Sequence, residues 1–171
     1  MKKRILIPAI FIVLAALAIL FYWLWQKNNY VGSIGKEKVS KAEYIVFLRA
    51  QANLFLDENQ VYETTEKMEF WEKEIGGKNT KDIVRERTAD KLIEFKVQLA
   101  RARKAGMRLE RRELEDVKDY IEQLMDSASP SKNEKERERE FVKMFGVTPR
   151  EYEEVYRNVR IVRKYATQEI N

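Results

Sequence analysis

Apolar and polar positions fall into three successive patterns along the chain, and each predicts a different kind of element. Ile5 to Trp25 is an unbroken apolar run with no charged residue. Tyr30 to Val39 alternates weakly around Gly35-Lys36, the mark of a small hairpin. From Ser40 onward the apolar residues recur every three or four positions, the spacing that stacks side chains on one face of a helix.

The first pattern predicts a membrane anchor. A helix of these 21 residues is about 31 Å long, close to the roughly 30 Å hydrocarbon core of a bilayer. The run exceeds the roughly 7 to 15 apolar residues of a signal peptide. It closes on Phe21-Tyr22-Trp23-Leu24-Trp25, bulky side chains that favour the membrane interface, and no small-x-small cleavage motif follows. A retained anchor is therefore expected over a cleaved signal peptide. Lys2, Lys3 and Arg4 outweigh Lys27, which places the N-terminus in the cytoplasm and the rest of this single-pass chain outside the cell membrane. Residues 1–27 are assigned to the anchor and residues 28–171 to one helical domain.

In the hairpin, Gly35 at the first central position suits a type II′ turn, which needs positive φ there. Ser40-Lys41-Ala42-Glu43 reads as a capping box opening a helix to about Asp57. Tyr44, Phe47, Leu48, Gln51, Ala52 and Phe55 form its inner face, and Val39 and Tyr44 can form a hydrophobic staple. A short helix carrying Met68, Phe70, Trp71 and Ile75 is expected before Gly76-Gly77 breaks it. So many large apolar residues need a partner surface, as a lid packed on its own domain or as an exposed binding patch.

Thr80 is the expected N-cap of a long helix from Lys81 to about Ala105. Val84, Thr88, Leu92, Phe95, Leu99 and Ala102 face inward, Arg85, Glu86, Glu94 and Lys96 face solvent, and Gly106 ends the helix. The next helix, Arg111 to Ala128, carries Leu114, Val117, Ile121, Leu124 and Met125 on one side. Ser127-Ala128-Ser129-Pro130-Ser131 reads as a flexible hinge or protease-sensitive loop. Alternating signs from Glu134 to Glu140 open an exposed helix anchored at its end by Phe141, Met144 and Phe145. Thr148-Pro149-Arg150-Glu151 is a second capping box, before a last helix with Tyr152, Val155, Tyr156, Val159, Val162 and Ala166 on one side. The fold class expected is mainly α: an N-terminal transmembrane helix, then an all-helical domain with a short β-hairpin.

Composition removes chemistry more than it adds. Of the 33 Lys and Arg residues, four precede Asn28, so the region beyond carries 29 basic against 28 acidic residues. The sequence pI near 9.3 belongs partly to the anchor, and no nucleic-acid partner is expected. Zero cysteines exclude disulfides and thiolate chemistry, and zero histidines remove the commonest general base and metal ligand. Neither a phosphate-binding glycine loop nor a nucleophile elbow is present. No cofactor, metal or catalytic residue is expected. Acids interleaved with bases at helical spacing read as solvated faces.

Several stretches together resemble the N-terminal domain of the extracytoplasmic foldases and periplasmic chaperones typified by SurA and PrsA. Ile34-Gly35-Lys36-Glu37-Lys38-Val39-Ser40-Lys41-Ala42-Glu43-Tyr44 is similar to the family's strand, turn, strand and capped first helix, with Gly-Lys where the family usually has Asn-Gly. Phe70-Trp71 and Gly76-Gly77 before Asp82-Ile83-Val84-Arg85-Glu86 and Lys91-Leu92-Ile93 resemble the middle of the domain. Ala102-Arg103-Lys104-Ala105-Gly106-Met107 and Phe145-Gly146-Val147-Thr148-Pro149-Arg150-Glu151-Tyr152 resemble its later segments.

The resemblance implies a SurA N-terminal-like chaperone domain that shelters unfolded or partly folded exported polypeptides. In many relatives a parvulin prolyl isomerase domain follows; here the chain stops at Asn171, and the histidines characteristic of that active site are absent, so no isomerase activity is expected. Phe55, Tyr62, Phe70 and Trp71 are the expected client-binding residues. A homodimer is left open as a further partner. The rival readings are an envelope protein docking one specific partner and an accessory subunit of a separate isomerase.

Overall fold

The computed structural model describes residues 29–169. The apolar run Ile5–Trp25, and with it the expected anchor, lies outside the described residues. Among the described residues there are six helices and two small hairpins, and no helix is long and apolar enough to cross a membrane.

Strands β1 (Tyr30–Ile34) and β2 (Glu37–Ser40) pair antiparallel with Ile34 opposite Glu37, which leaves Gly35-Lys36 as the whole loop. Gly35 has φ +61° while Lys36 stays out of the positive region, the signature of the expected type II′ turn. Ser40 ends β2 and caps α1 (Lys41–Glu58): its hydroxyl accepts from the Glu43 N–H at 3.1 Å, and its own N–H donates to Glu43 Oε2 at 2.9 Å. Both halves of the capping box are present.

After α1 come α2 (Thr64–Phe70), β3 (Glu74–Ile75) and β4 (Lys78–Asn79). Gly76-Gly77 does more than break a helix. With φ of 60° and 77° it forms the two-residue turn of a second antiparallel hairpin, in which both central residues need positive φ. Trp71 and Ile75 therefore fall outside α2, because strands of two residues are too short to show alternation in the sequence.

Helix α3 (Thr80–Lys104) is capped by Asn79, whose side chain accepts from the Lys81 N–H at 2.9 Å, and not by Thr80 as expected. Thr80 is buried in the first turn, and its hydroxyl donates to the Phe70 carbonyl at 2.9 Å. All six residues expected inward, Val84, Thr88, Leu92, Phe95, Leu99 and Ala102, are buried. At the far end Gly106, with φ +75°, lets its own N–H reach Arg103 O and the Met107 N–H reach Ala102 O, a Schellman closure.

Helices α4 (Arg111–Ala128), α5 (Glu134–Phe145) and α6 (Pro149–Glu169) complete the chain. The serine-rich link between α4 and α5 is a built connection. Ser129 is buried, Ser131 N–H donates to Ser129 Oγ, and the Ser131 hydroxyl donates to Glu136 at 2.7 Å. Phe141 is buried and Phe145 half-buried, but Met144, expected among the anchors of α5, is exposed. Ala166, expected on the inner stripe of α6, is also exposed. The second capping box holds, with Glu151 accepting from the Thr148 N–H at 2.8 Å.

Helix α6 is the hub: it packs on α1, α3, α4 and α5, while α1 also packs on α3 and α4 on α5. Phe47 and Phe95, with ring centroids 4.9 Å apart, join α1 to α3 beside Leu99 and Val162. Phe141, Phe145 and Tyr152 form an aromatic cluster that ties α5 to α6.

Two outcomes follow from these contacts. Gly146 and Gly106 share the left-handed conformation, but a Cβ at Gly106 meets open space, whereas at Gly146 it lies 3.0 Å from Ile45 Cγ2 and 3.3 Å from Arg49 Nε. In urea titrations Gly106→Ala should cost about 1 kcal/mol for the left-handed backbone, and Gly146→Ala should cost about 2 kcal/mol because it adds crowding against α1. Equal losses would show that the Gly146 contact relaxes freely.

Lys164 Nζ lies 2.7 Å from Glu113 Oε2 and fastens α6 to the start of α4. That hydrogen bond, joined by the Glu110 N–H, holds the Glu113 carboxyl below its usual range, and the same carboxylate raises Lys164. A carboxyl lowered by folding stabilises above its unfolded pKa of about 4.3 and loses that contribution as pH falls through its folded value. The stability of the native chain should therefore fall more steeply below pH 5 than that of Glu113→Gln, with the two curves converging in acid.

Candidate functional site

Two places stand out. The first lies where α1 ends and α3 begins. Phe55, Leu56, Phe70 and Val84 form a buried cluster, edged by Leu48, Ala52, Val61, Trp71 and Ile83. The Phe55 and Phe70 rings are 5.5 Å apart, as are those of Phe70 and Trp71. The Arg87 guanidinium sits 4.7 Å over the Phe55 ring and pairs with Glu58.

The fold thus gathers three of the four residues expected to bind clients, Phe55, Phe70 and Trp71, and leaves Tyr62 63% exposed outside the cluster. Phe55 and Phe70 are buried against each other, so in this conformation they offer no face to a ligand, and Trp71 is half-buried. The surface around them is built from other side chains. Leu54, Tyr62, Met68 and Ile75 are four of the nine large apolar residues exposed among the described residues, and all lie in the stretch of chain from the end of α1 to β3. On a helix, residues two apart point to nearly opposite sides, so seating Phe70 inward turns Met68 out, 71% exposed. Size alone had marked Phe70; only the register of α2 identifies Met68.

The second place is an open cleft of about 720 Å³ between the β1–β2 hairpin and the first half of α6. Glu43 and Lys96 line it and are only 5% and 4% exposed. Lys96 Nζ donates to Glu43 Oε1 at 2.7 Å and to Oε2 at 2.8 Å, and Oε2 also takes the Ser40 N–H. Sequence spacing had Lys96 facing solvent; it is buried because Glu43, already placed by the capping box, offers it a partner inside. Arg103 crosses the cleft, donating to Glu37 on β2 at 3.0 Å and to Asn158 on α6 at 3.4 Å.

Among the described residues no group of three or more acidic side chains is arranged to hold a metal. Burial, with Tyr120 and Tyr156 alongside, pushes the Tyr152 phenol above its ordinary range, so it stays neutral at physiological pH. Comparison with protein-family models, curated proteins and solved structures found no match, so the resemblance rests on the sequence features given above.

Removing one member of a buried ion pair strands the other. Lys96→Met should cost about 3 kcal/mol in urea unfolding, and Glu43→Gln with Lys96→Met should recover more than half of that loss. A double variant as unstable as the single one would mean that the Ser40–Glu43 cap, and not the charge pair, carries the energy.

Proposed function

We propose that this protein is a membrane-anchored extracytoplasmic holdase that binds unfolded or partly folded exported polypeptides and has no prolyl isomerase activity. The observation that carries this reading is that Leu54, Tyr62, Met68 and Ile75, all exposed, lie on the same stretch of chain, from the end of α1 to β3, that supplies Phe55 and Phe70. Covering about 300 Å² of such surface contributes roughly 7 kcal/mol at 25 cal/mol per Å². Lost freedom on association offsets much of this, which makes capture reversible and weakly selective. Charged groups of both signs interspersed along the helices, 29 basic and 28 acidic residues after Lys27, support a well-hydrated surface around a bound client. The apolar run at residues 5–25 supports tethering at the membrane, with the domain outside.

The mixed-charge cleft favours a second reading, docking of one folded partner. Client breadth separates the two. The full chain in nanodiscs should suppress light scattering by two unrelated, chemically unfolded proteins at near-stoichiometric ratio, against empty nanodiscs. Replacing Tyr62 and Met68 by serine should weaken that suppression several-fold while leaving the helical signal intact. Suppression of neither protein by the folded chain moves the function to a specific docking role.

A further inference from the structure

We propose that residues 61–79 are a lid, and that an unfolded client binds when the lid lifts, placing its own large apolar side chain where Phe70 now packs. This rests on the holdase reading and names its binding surface. Within the segment, Phe70 is the one buried side chain. At its leading end the Val61 N–H donates to Leu56 O at 2.9 Å, and at its far end a single buried residue fastens it: Thr80 donates its hydroxyl to Phe70 O at 2.9 Å and its N–H to Lys73 O at 3.1 Å. The other side-chain ties, Lys78 to Glu86 and Lys81 to Glu72, are exposed ion pairs of the kind that add little.

The elements inside the lid are too short to hold themselves. Helix α2 has seven residues and no side-chain N-cap bond, and β3 and β4 have two residues each. At its leading edge Gln60 sits at φ +56°, a left-handed conformation rare for a side-chain-bearing residue and a natural pivot. Few buried contacts and short elements make local opening far easier than global unfolding. Beneath the lid lie Phe55, Leu56 and Val84, so lifting Phe70 and Trp71 uncovers an apolar surface that the closed domain buries. The closed lid keeps the most apolar surface away from folded neighbours.

The chain has no cysteine, so a single introduced thiol reports on one place. Val84→Cys lies under the lid and Leu99→Cys in the body of the domain; Leu56→Cys is a second lid reporter should Val84→Cys fail to fold. In the native full chain the lid thiol should react with a thiol reagent at least about tenfold faster than the Leu99→Cys thiol, because it needs only local opening. Thr80→Val removes the latch hydroxyl and leaves the Phe70 carbonyl with only the Lys73 N–H. It should speed the lid thiol about tenfold without changing Leu99→Cys. It should also tighten binding of a permanently unfolded probe, reduced and carboxymethylated lactalbumin, by a similar factor, since apparent affinity scales with the open fraction.

Equal reaction rates at the lid and body thiols would overturn the lid. Fast lid opening with unchanged probe affinity in Thr80→Val would overturn the link to clients and leave the holdase reading standing on the outer surface. Failure of every lid-opening variant to bind the probe would overturn the holdase reading as well.

Discussion

Glu43 and Lys96 lie 53 residues apart in sequence and meet almost out of water, where the carboxylate takes two hydrogen bonds from the ammonium and a third from the Ser40 N–H. Taking either charge from water alone costs several kcal/mol, and attraction offsets this only when the lone pairs are satisfied in good geometry. That condition fixes much of the molecule. The third bond comes from the residue that ends β2 and caps α1, so the hairpin, the start of α1 and the middle of α3 are located by one carboxylate. The cleft beside α6 takes its shape from the same constraint, with Arg103 holding its two walls together.

Around this point the helices are unequal. Helix α6 is gripped on several sides, by Phe141 and Phe145 through Tyr152, by Leu99 through Val162, and by Glu113 through Lys164. The segment between α1 and α3 is gripped at Phe70, with Val61 and Trp71 packed at the edge, and at one threonine. The proposed holdase function would use both kinds of region, one to hold the fold and one to offer apolar surface to a client. The apolar area that stabilises the body is no longer available to a ligand, so binding falls to the elements that are least committed.

Much of the local structure was legible. The two capping boxes, the type II′ turn, the inward stripe of α3 and the stop at Gly106 each depend on residues within a few positions of one another, and each occurs as read. The failures share one cause. Asn79 displaced Thr80 as the cap because the β3–β4 hairpin turned the Thr80 hydroxyl toward Phe70. The hydrogen bonds of the serines after α4 to one another and to Glu136 were not legible, because they depend on the turn those residues build. Met144 and Phe145 were equivalent as hydrophobic residues, yet Tyr152 on α6 is there to receive only Phe145.

The candidate site shows the same division. Sequence by itself determined which segments become helices and most of their boundaries, that the chain lacks the side chains for thiol or imidazole chemistry, and that large apolar residues crowd between α1 and α3. It could not sort that crowd into Phe55 and Phe70 inside and Tyr62 and Met68 outside, nor turn Lys96 inward. Those outcomes depend on the angular register of one helix against another and on a partner many residues away, and only the packed tertiary structure supplies either.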